Sequence, residues 1–381
     1  MTEMAIQKYS FVNFPVCEKI EKYTDATKKI ADMFLKTKNA VSVYTWGVIS
    51  NPGISDIDFC IVMEGKLGNL PLNLRSFHFL DKSEKYVVVH PFIFVTPWVI
   101  SEIEYVYPEN NLVYFSGRKL KMKRLSPKDR KNAKISLLND LIIRHFPRDY
   151  AKMIFSGKID LRQALLRLKS LSTTIKTCRE FGKCITAKEK KFISDTFDLR
   201  NNWFGMEHKE QERKTALLLE AGFGICFDII EFFDVFLRKK KIVEIKSKNN
   251  IFEFRGDKNH TVFVDGWKRK NAVKLMKEKY SKNKEIISCL PVSLGIQLVE
   301  YSQSKGVIGD YISQNIVSSE INYDFGNSQI VKKRIQIFER QAELAERTKH
   351  AHFPAFFDFG YRTKSGAVNK LQNAVYSIRK K

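Results

Sequence analysis

Residues Trp46–Met63 read WGVISNPGISDIDFCIVM. The apolar stretch Val41–Trp46 stops at Gly47, and Asn51–Pro52–Gly53 sits inside a short loop. Ser55 then precedes two carboxylates, Asp56 and Asp58, and the apolar run Phe59–Met63 follows. Asn, Pro and Gly together mark a turn between strands. On a strand, residues two apart share a face. Asp56 and Asp58 are therefore expected to project side by side, while Ile57 and Phe59 turn into a core. Adjacent carboxylates repel and lose hydration unless a cation lies between them. Oxygen ligands of this kind suit Mg²⁺, which takes one or two protein carboxylates together with substrate phosphates.

Outward from this stretch, Val16–Lys36 carries Ile20, Tyr23, Ala26, Ile30, Met33 and Phe34 at helical spacing. Tyr86–Val89 and Phe92–Val95 form an apolar, β-branched run, predicted as a third strand kinked at Pro91. His90 is the titratable side chain of that run. It reads as a base working near neutral pH or as a buried or capping histidine. Pro97–Glu104 predicts a short helix, whose Glu102 and Glu104 would add a carboxylate if they turned toward the pair. Asn111–Leu120 predicts a further strand, with Arg118 and Lys119 just past a turn at Ser116–Gly117.

Trp46–Gly47, the loop, and Ser55–Asp56–Ile57–Asp58–Phe59 resemble the signature of the nucleotidyltransferase superfamily that includes DNA polymerase beta. The similarity runs from Ile20 to Leu120. It implies a mixed sheet with flanking helices, with Asp56 and Asp58 as catalytic residues holding Mg²⁺. It also implies an NTP, ATP among the candidates, as donor. Gly47 would let the backbone approach the phosphates, Ser50 and Ser55 would donate hydrogen bonds to them, and Arg118 would face them. Three departures stand out. Val48 follows Gly47 where the family has a small residue, the loop is at the short end of the family's range, and the third strand offers His90 where the family often has a third carboxylate, the general base.

From Ser126–Pro127 onward the periodicity becomes helical, over Lys128–Phe146, Tyr150–Phe155, Leu161–Cys178, Ala187–Asn201 and Lys214–Leu237. Ile242–Ile245, Ile251–Phe254 and Thr261–Val264 read as short strands, and residues 271–317 as helical with breaks at Pro291 and Gly306. Ser328–Lys349 is an amphipathic helix, with Ile330, Ile335, Phe338 and Leu344 along one stripe. The expectation is an α+β chain in three segments. These are a nucleotidyltransferase-like domain over 1–122, a helical domain over 123–241, and a mixed, mainly helical region over 242–381. Arg200, Asn201 and His208 are similar to a HEPN ribonuclease motif but spaced more widely. His350, His352 and Asp358 would form a metal trio only by folding together.

A chain of 381 residues with 44% hydrophobic content can bury a core. Its net charge of +24, from 66 basic against 42 acidic residues, favours anionic partners. The expected partners are an NTP and a hydroxyl-bearing or anionic acceptor, nucleic acid included. No stretch reaches the ~18 uninterrupted apolar residues of a membrane span. The start MTEMAIQKYS lacks a signal-peptide pattern, and none of the six cysteines forms a CxxC pair. The expected location is the cytoplasm. Two other functions compete with nucleotidyl transfer. One is an inactive module of the same fold that binds nucleotide or nucleic acid. The other is a metal-dependent glycosyltransferase, where DxD leaves a long apolar strand instead of leading into one as it does here.

Overall fold

The stretch around the two acids folds as two antiparallel strands joined by a loop, in a computed structural model. Residues 8–65, 79–90, 92–109, 111–247, 250–256, 259–318, 321–348 and 359–361 are described. The first elements are β1 (Ser10–Val12), α1 (Ile20–Leu35), β2 (Ala40–Trp46), β3 (Asp58–Met63), α2 (Lys82–Val87), β4 (Ile93–Val95), α3 (Pro97–Ser101) and β5 (Leu112–Gly117). The fold is α+β, as expected. A four-stranded sheet runs in the order β4-β3-β2-β5. β2 is antiparallel to β3 and β5, and β3 is parallel to β4, so the sheet is mixed.

Alternation along β3 decides which side is core. Phe59, Ile61 and Met63 meet Tyr23, Ala26, Ile30 and Phe34 of α1, and Phe92 and Phe94 complete the cluster. The rings of Phe34 and Phe92 meet edge-on at 5.0 Å. Each such side chain contributes about 1.5–3 kcal/mol on burial. Asp58 stands on the opposite face of the same strand, at its first position.

The predicted third strand is shorter than expected. Tyr86 and Val87 belong to α2, because Asp81 and Glu84 form a reciprocal capping box. Glu84 N–H donates to Asp81 Oδ1 at 2.8 Å, and Asp81 N–H donates to Glu84 Oε2 at 2.7 Å. Two satisfied backbone donors outweigh the strand preference of Tyr and Val, which depends on context. Only Ile93–Val95 pairs as a strand, and Pro91 lies outside the described residues.

The chain forms two compact units, each assembled from distant segments. The three consecutive segments expected from the sequence are divided differently here. One unit comprises Glu18–Leu137, Glu300–Gln314 and Ser328–Lys381, and contains the sheet above. Its late helix, Ser328–Arg347, supplies Leu344 to the core cluster. Buried Arg334 of that helix donates to the carbonyls of Tyr105 and Val106 at 2.7 and 3.1 Å. The apolar stripe of this helix announces a buried face, but periodicity does not say against which partner.

The other unit comprises Met1–Cys17, Leu138–Val299 and Asn315–Asn327. Its helices Arg148–Ser156, Leu161–Glu180, Ala187–Asn201 and His208–Lys239 match the helical periodicity. A second four-stranded sheet runs Ile287–Pro291, Asn259–Val264, Ile251–Gly256, Ile316–Ser318. Residues 287–290 and 316–317 fall within the span expected to be helical, 271–317 with a break at Pro291. Ile287–Pro291 instead pairs in parallel with Asn259–Val264, with all five residues buried. A short, wholly buried apolar run has no periodicity that separates strand from helix. His350, His352 and Asp358 lie outside the described residues.

Candidate metal centre

The loop between β2 and β3 is held by side chains from two helices. Its turn closes on Asn51, whose carbonyl accepts from Ile54 N–H at 3.1 Å and Ser55 N–H at 2.8 Å. The Gly53 peptide is gripped on both sides. Gly53 N–H donates to Tyr23 Oη at 2.8 Å, and Tyr86 Oη donates to Gly53 C=O at 2.7 Å. Tyr23 Oη in turn donates to Ser55 C=O at 2.6 Å. Gly53 has φ of 85°, which a side chain would strain. Ile57 N–H then reaches Val87 C=O at 3.0 Å, joining the end of the loop to α2.

This scaffold presents Asp56 at the loop's end and Asp58 at the start of β3. His90, from the segment between α2 and β4, meets them. Its Nε2 lies 3.1 Å from Asp56 Oδ2. One ligand atom from each of Asp56, Asp58 and His90 lies within 4.8 Å of the others, and no other such group of His, Cys, Asp and Glu occurs among the described residues. The Asp56 side chain is 13% exposed and that of His90 is 56% exposed, so the group opens outward. Burial pushes the Asp58 carboxyl up to about 6; His90 opposes this rise and the Asp56 charge adds to it. Two carboxylates and an imidazole converging at this spacing suit a divalent cation, which would relieve the repulsion between the acids.

The other predicted residues are placed as follows. Gly47 ends β2 beside this group with φ of 82°, and an added Cβ would meet nothing within 4 Å. The space in front of its backbone is open. Ser50 is exposed, its hydroxyl donating to Asn51 Oδ1 at 3.2 Å. Ser55 is buried, and its Oγ accepts from Asn51 N–H at 3.4 Å, so it braces the loop from within. Arg118 is not brought to the acids. β2 and β5 are antiparallel, and Arg118 N–H bonds Val41 C=O at the far end of the ladder from Trp46. Five strand residues separate those ends by about 17 Å. Its guanidinium pairs with Glu64 at 2.8 Å.

Glu102 and Glu104, the alternative sources of a third carboxylate, are engaged elsewhere. Glu102 pairs with Lys123, and Glu104 pairs with Arg124 at 2.6 Å and Arg130 at 3.3 Å. Arg200 is buried and donates to Leu165 C=O at 2.9 Å, while the His208 ring stacks on Phe14.

Trp46 entered the sequence reading only as the apolar residue before Gly47, and Tyr107 not at all. Trp46 stands directly across the ladder from Asp58, and cross-strand partners share a face. The Tyr107 ring meets it edge-on at 4.2 Å. Tyr23 and Tyr86 were read only as apolar positions, although their hydroxyls hold the loop. No spacing in the sequence links them to it.

In comparison with known proteins, the chain matches no family model, no curated protein and no solved structure. All six cysteines are free thiols. Among the described residues, no helix is long and apolar enough to cross a membrane.

Proposed function

We propose that the protein is a divalent-cation-dependent nucleotidyltransferase, moving a nucleotidyl group from an NTP to a hydroxyl acceptor with release of pyrophosphate. The supporting observation is the convergence of Asp56, Asp58 and His90 at the mouth of a Gly47-led loop. Asp56, Asp58 and His90 would hold the cation, which when bound would supply charge stabilisation for the transferring phosphoryl oxygens. Gly47, with open space before its backbone, would admit the phosphates. Tyr23 and Tyr86 would keep the loop in place, so that Asp56 does not swing away from Asp58. Trp46 and Tyr107 offer aromatic surface on the Asp58 face for a base. The net charge of +24 would draw an anionic donor or acceptor toward the protein.

A second reading, a nucleotide-binding module without turnover, draws on two observations. Val48 is 75% exposed where the family places a small residue, and Glu102 and Glu104 are engaged in other ion pairs. One experiment separates the two. The protein is incubated with Mg²⁺ or Mn²⁺ and each α-labelled NTP, with Asp56→Asn/Asp58→Asn as control. Transfer of label with pyrophosphate release, abolished in the variant, is expected. Nucleotide binding that is alike in both proteins, with no label transferred, rejects the transferase and leaves the binding module.

A further inference from the structure

We propose that Asp56, Asp58 and His90 form a mixed carboxylate–imidazole site that selects a first-row transition cation of the Mn²⁺ type over Mg²⁺, with His90 as the nitrogen ligand. This rests on the cation reading of the site and is independent of the group transferred. His90 lies in the segment that leads into β4, which pairs in parallel with β3. Ile93 at the start of β4 is level with Cys60, two residues past Asp58, and His90 precedes β4 by three residues, which brings it toward the start of β3. Its Nε2 already faces the set, 3.1 Å from Asp56 Oδ2.

The chemistry of the third ligand sets the preference. Mg²⁺ is a hard ion that keeps oxygen ligands and several waters. Imidazole nitrogen favours first-row transition ions, whose affinities for a nitrogen-containing site also rise along the series from Mn²⁺. An all-oxygen set would need a further carboxylate. Glu104 is tied to Arg124, Arg130 and the Leu125 N–H, and Glu102 to Lys123. His90 is the residue left to complete the set among the described residues. At 56% exposure its ring projects from the core, so substituting it leaves the packing of the sheet intact.

The test is direct cation binding by the chelator-stripped protein. Mn²⁺ is titrated by electron paramagnetic resonance and Mg²⁺ by competition, with thermal melts of each variant to verify folding. Wild-type protein is expected to bind Mn²⁺ more tightly than Mg²⁺. His90→Ala should weaken Mn²⁺ by about tenfold or more while moving Mg²⁺ by less than about threefold. His90→Asp, which restores an all-oxygen set, should narrow the gap by strengthening Mg²⁺. Equal affinity for the two ions in wild type, or a His90→Ala variant that binds both as wild type does, overturns the proposal. Absence of binding for either ion overturns the proposal and the cation reading together. His90-dependent Mn²⁺ binding without consumption of any NTP upholds the proposal and rejects nucleotidyl transfer.

Discussion

Two histidine–aspartate pairs in this protein share one contact distance and differ in everything around it. His90 Nε2 lies 3.1 Å from Asp56 Oδ2 in one compact unit, and His145 Nδ1 lies 3.1 Å from Asp149 Oδ2 in the other. Around Asp149 the Arg167 and Arg148 guanidinium groups add positive charge, with Arg167 Nε at 2.7 Å. Burial works against the Asp149 charge, but the His145 hydrogen bond and the Arg167 charge hold its carboxyl far below the usual range. His145 is driven down to about 4, by burial first and then by Arg167. Asp56 instead faces a second acid, and Asp58 is pushed up to about 6. The Asp149 cluster is electrostatically complete within the chain. The Asp56–Asp58 pair brings two acids together beside a half-exposed imidazole, an arrangement that could hold a metal ion.

This contrast can be broken by substitution. The largest effect is expected for Asp149→Ala. Removing one partner leaves Arg148 and Arg167 without their shared counter-charge, and should lower stability in guanidinium melts by about 3–5 kcal/mol. Asp58→Asn should act in the opposite direction. It removes the repulsion with Asp56 and should raise metal-free stability near pH 7 by about 1–3 kcal/mol, while abolishing cation binding. A loss of stability in Asp58→Asn would show that the pair is satisfied within the chain.

The pH dependence sharpens the same comparison. Asp58 has a raised folded pKa, so the folded protein holds its proton after the unfolded chain has released it. Its contribution should therefore fall as pH rises from about 4 to about 6, and saturating divalent cation should reverse that loss. Asp149 has a depressed pKa. Its stabilisation is present above the unfolded value and is lost only as pH drops below about 4. Denaturant melts across this range, with and without Mn²⁺, distinguish the two. A cation effect that is the same in wild type and Asp58→Asn would count against the site. The smallest effect is expected for Tyr86→Phe. It removes one hydrogen bond to Gly53 and should lower stability by about 0.5–1.5 kcal/mol, with a parallel weakening of cation affinity. Unchanged affinity would mean that the loop keeps its shape without that bond.

Much of the local structure was legible from residue order. β2 and β3 were evident from apolar runs on either side of Asn51–Pro52–Gly53, and α1 and the helix Ser328–Arg347 from their stripes. Asp56 and Asp58 were evident from their spacing. The strand predicted across Tyr86–Val89 was not found, because the Asp81–Glu84 capping box lies outside the apolar run that suggested it. Ile287–Pro291 was misread because complete burial erases periodicity. Arg118 was expected at the phosphates from the family resemblance, but antiparallel pairing of β5 with β2 carries it to the opposite end of the ladder from Trp46.

By itself, the order of residues determined most of the elements and the acid pair, since turns and alternation are properties of neighbours along the chain. Tertiary structure decided that His90 closes on Asp56, that Tyr23 and Tyr86 grip Gly53, and that a helix beginning at Ser328 joins the core of residues 20–120. Those contacts depend on strand register and on which apolar faces bury one another. Both are settled by the packing of residues far apart in sequence, so no local spacing records them.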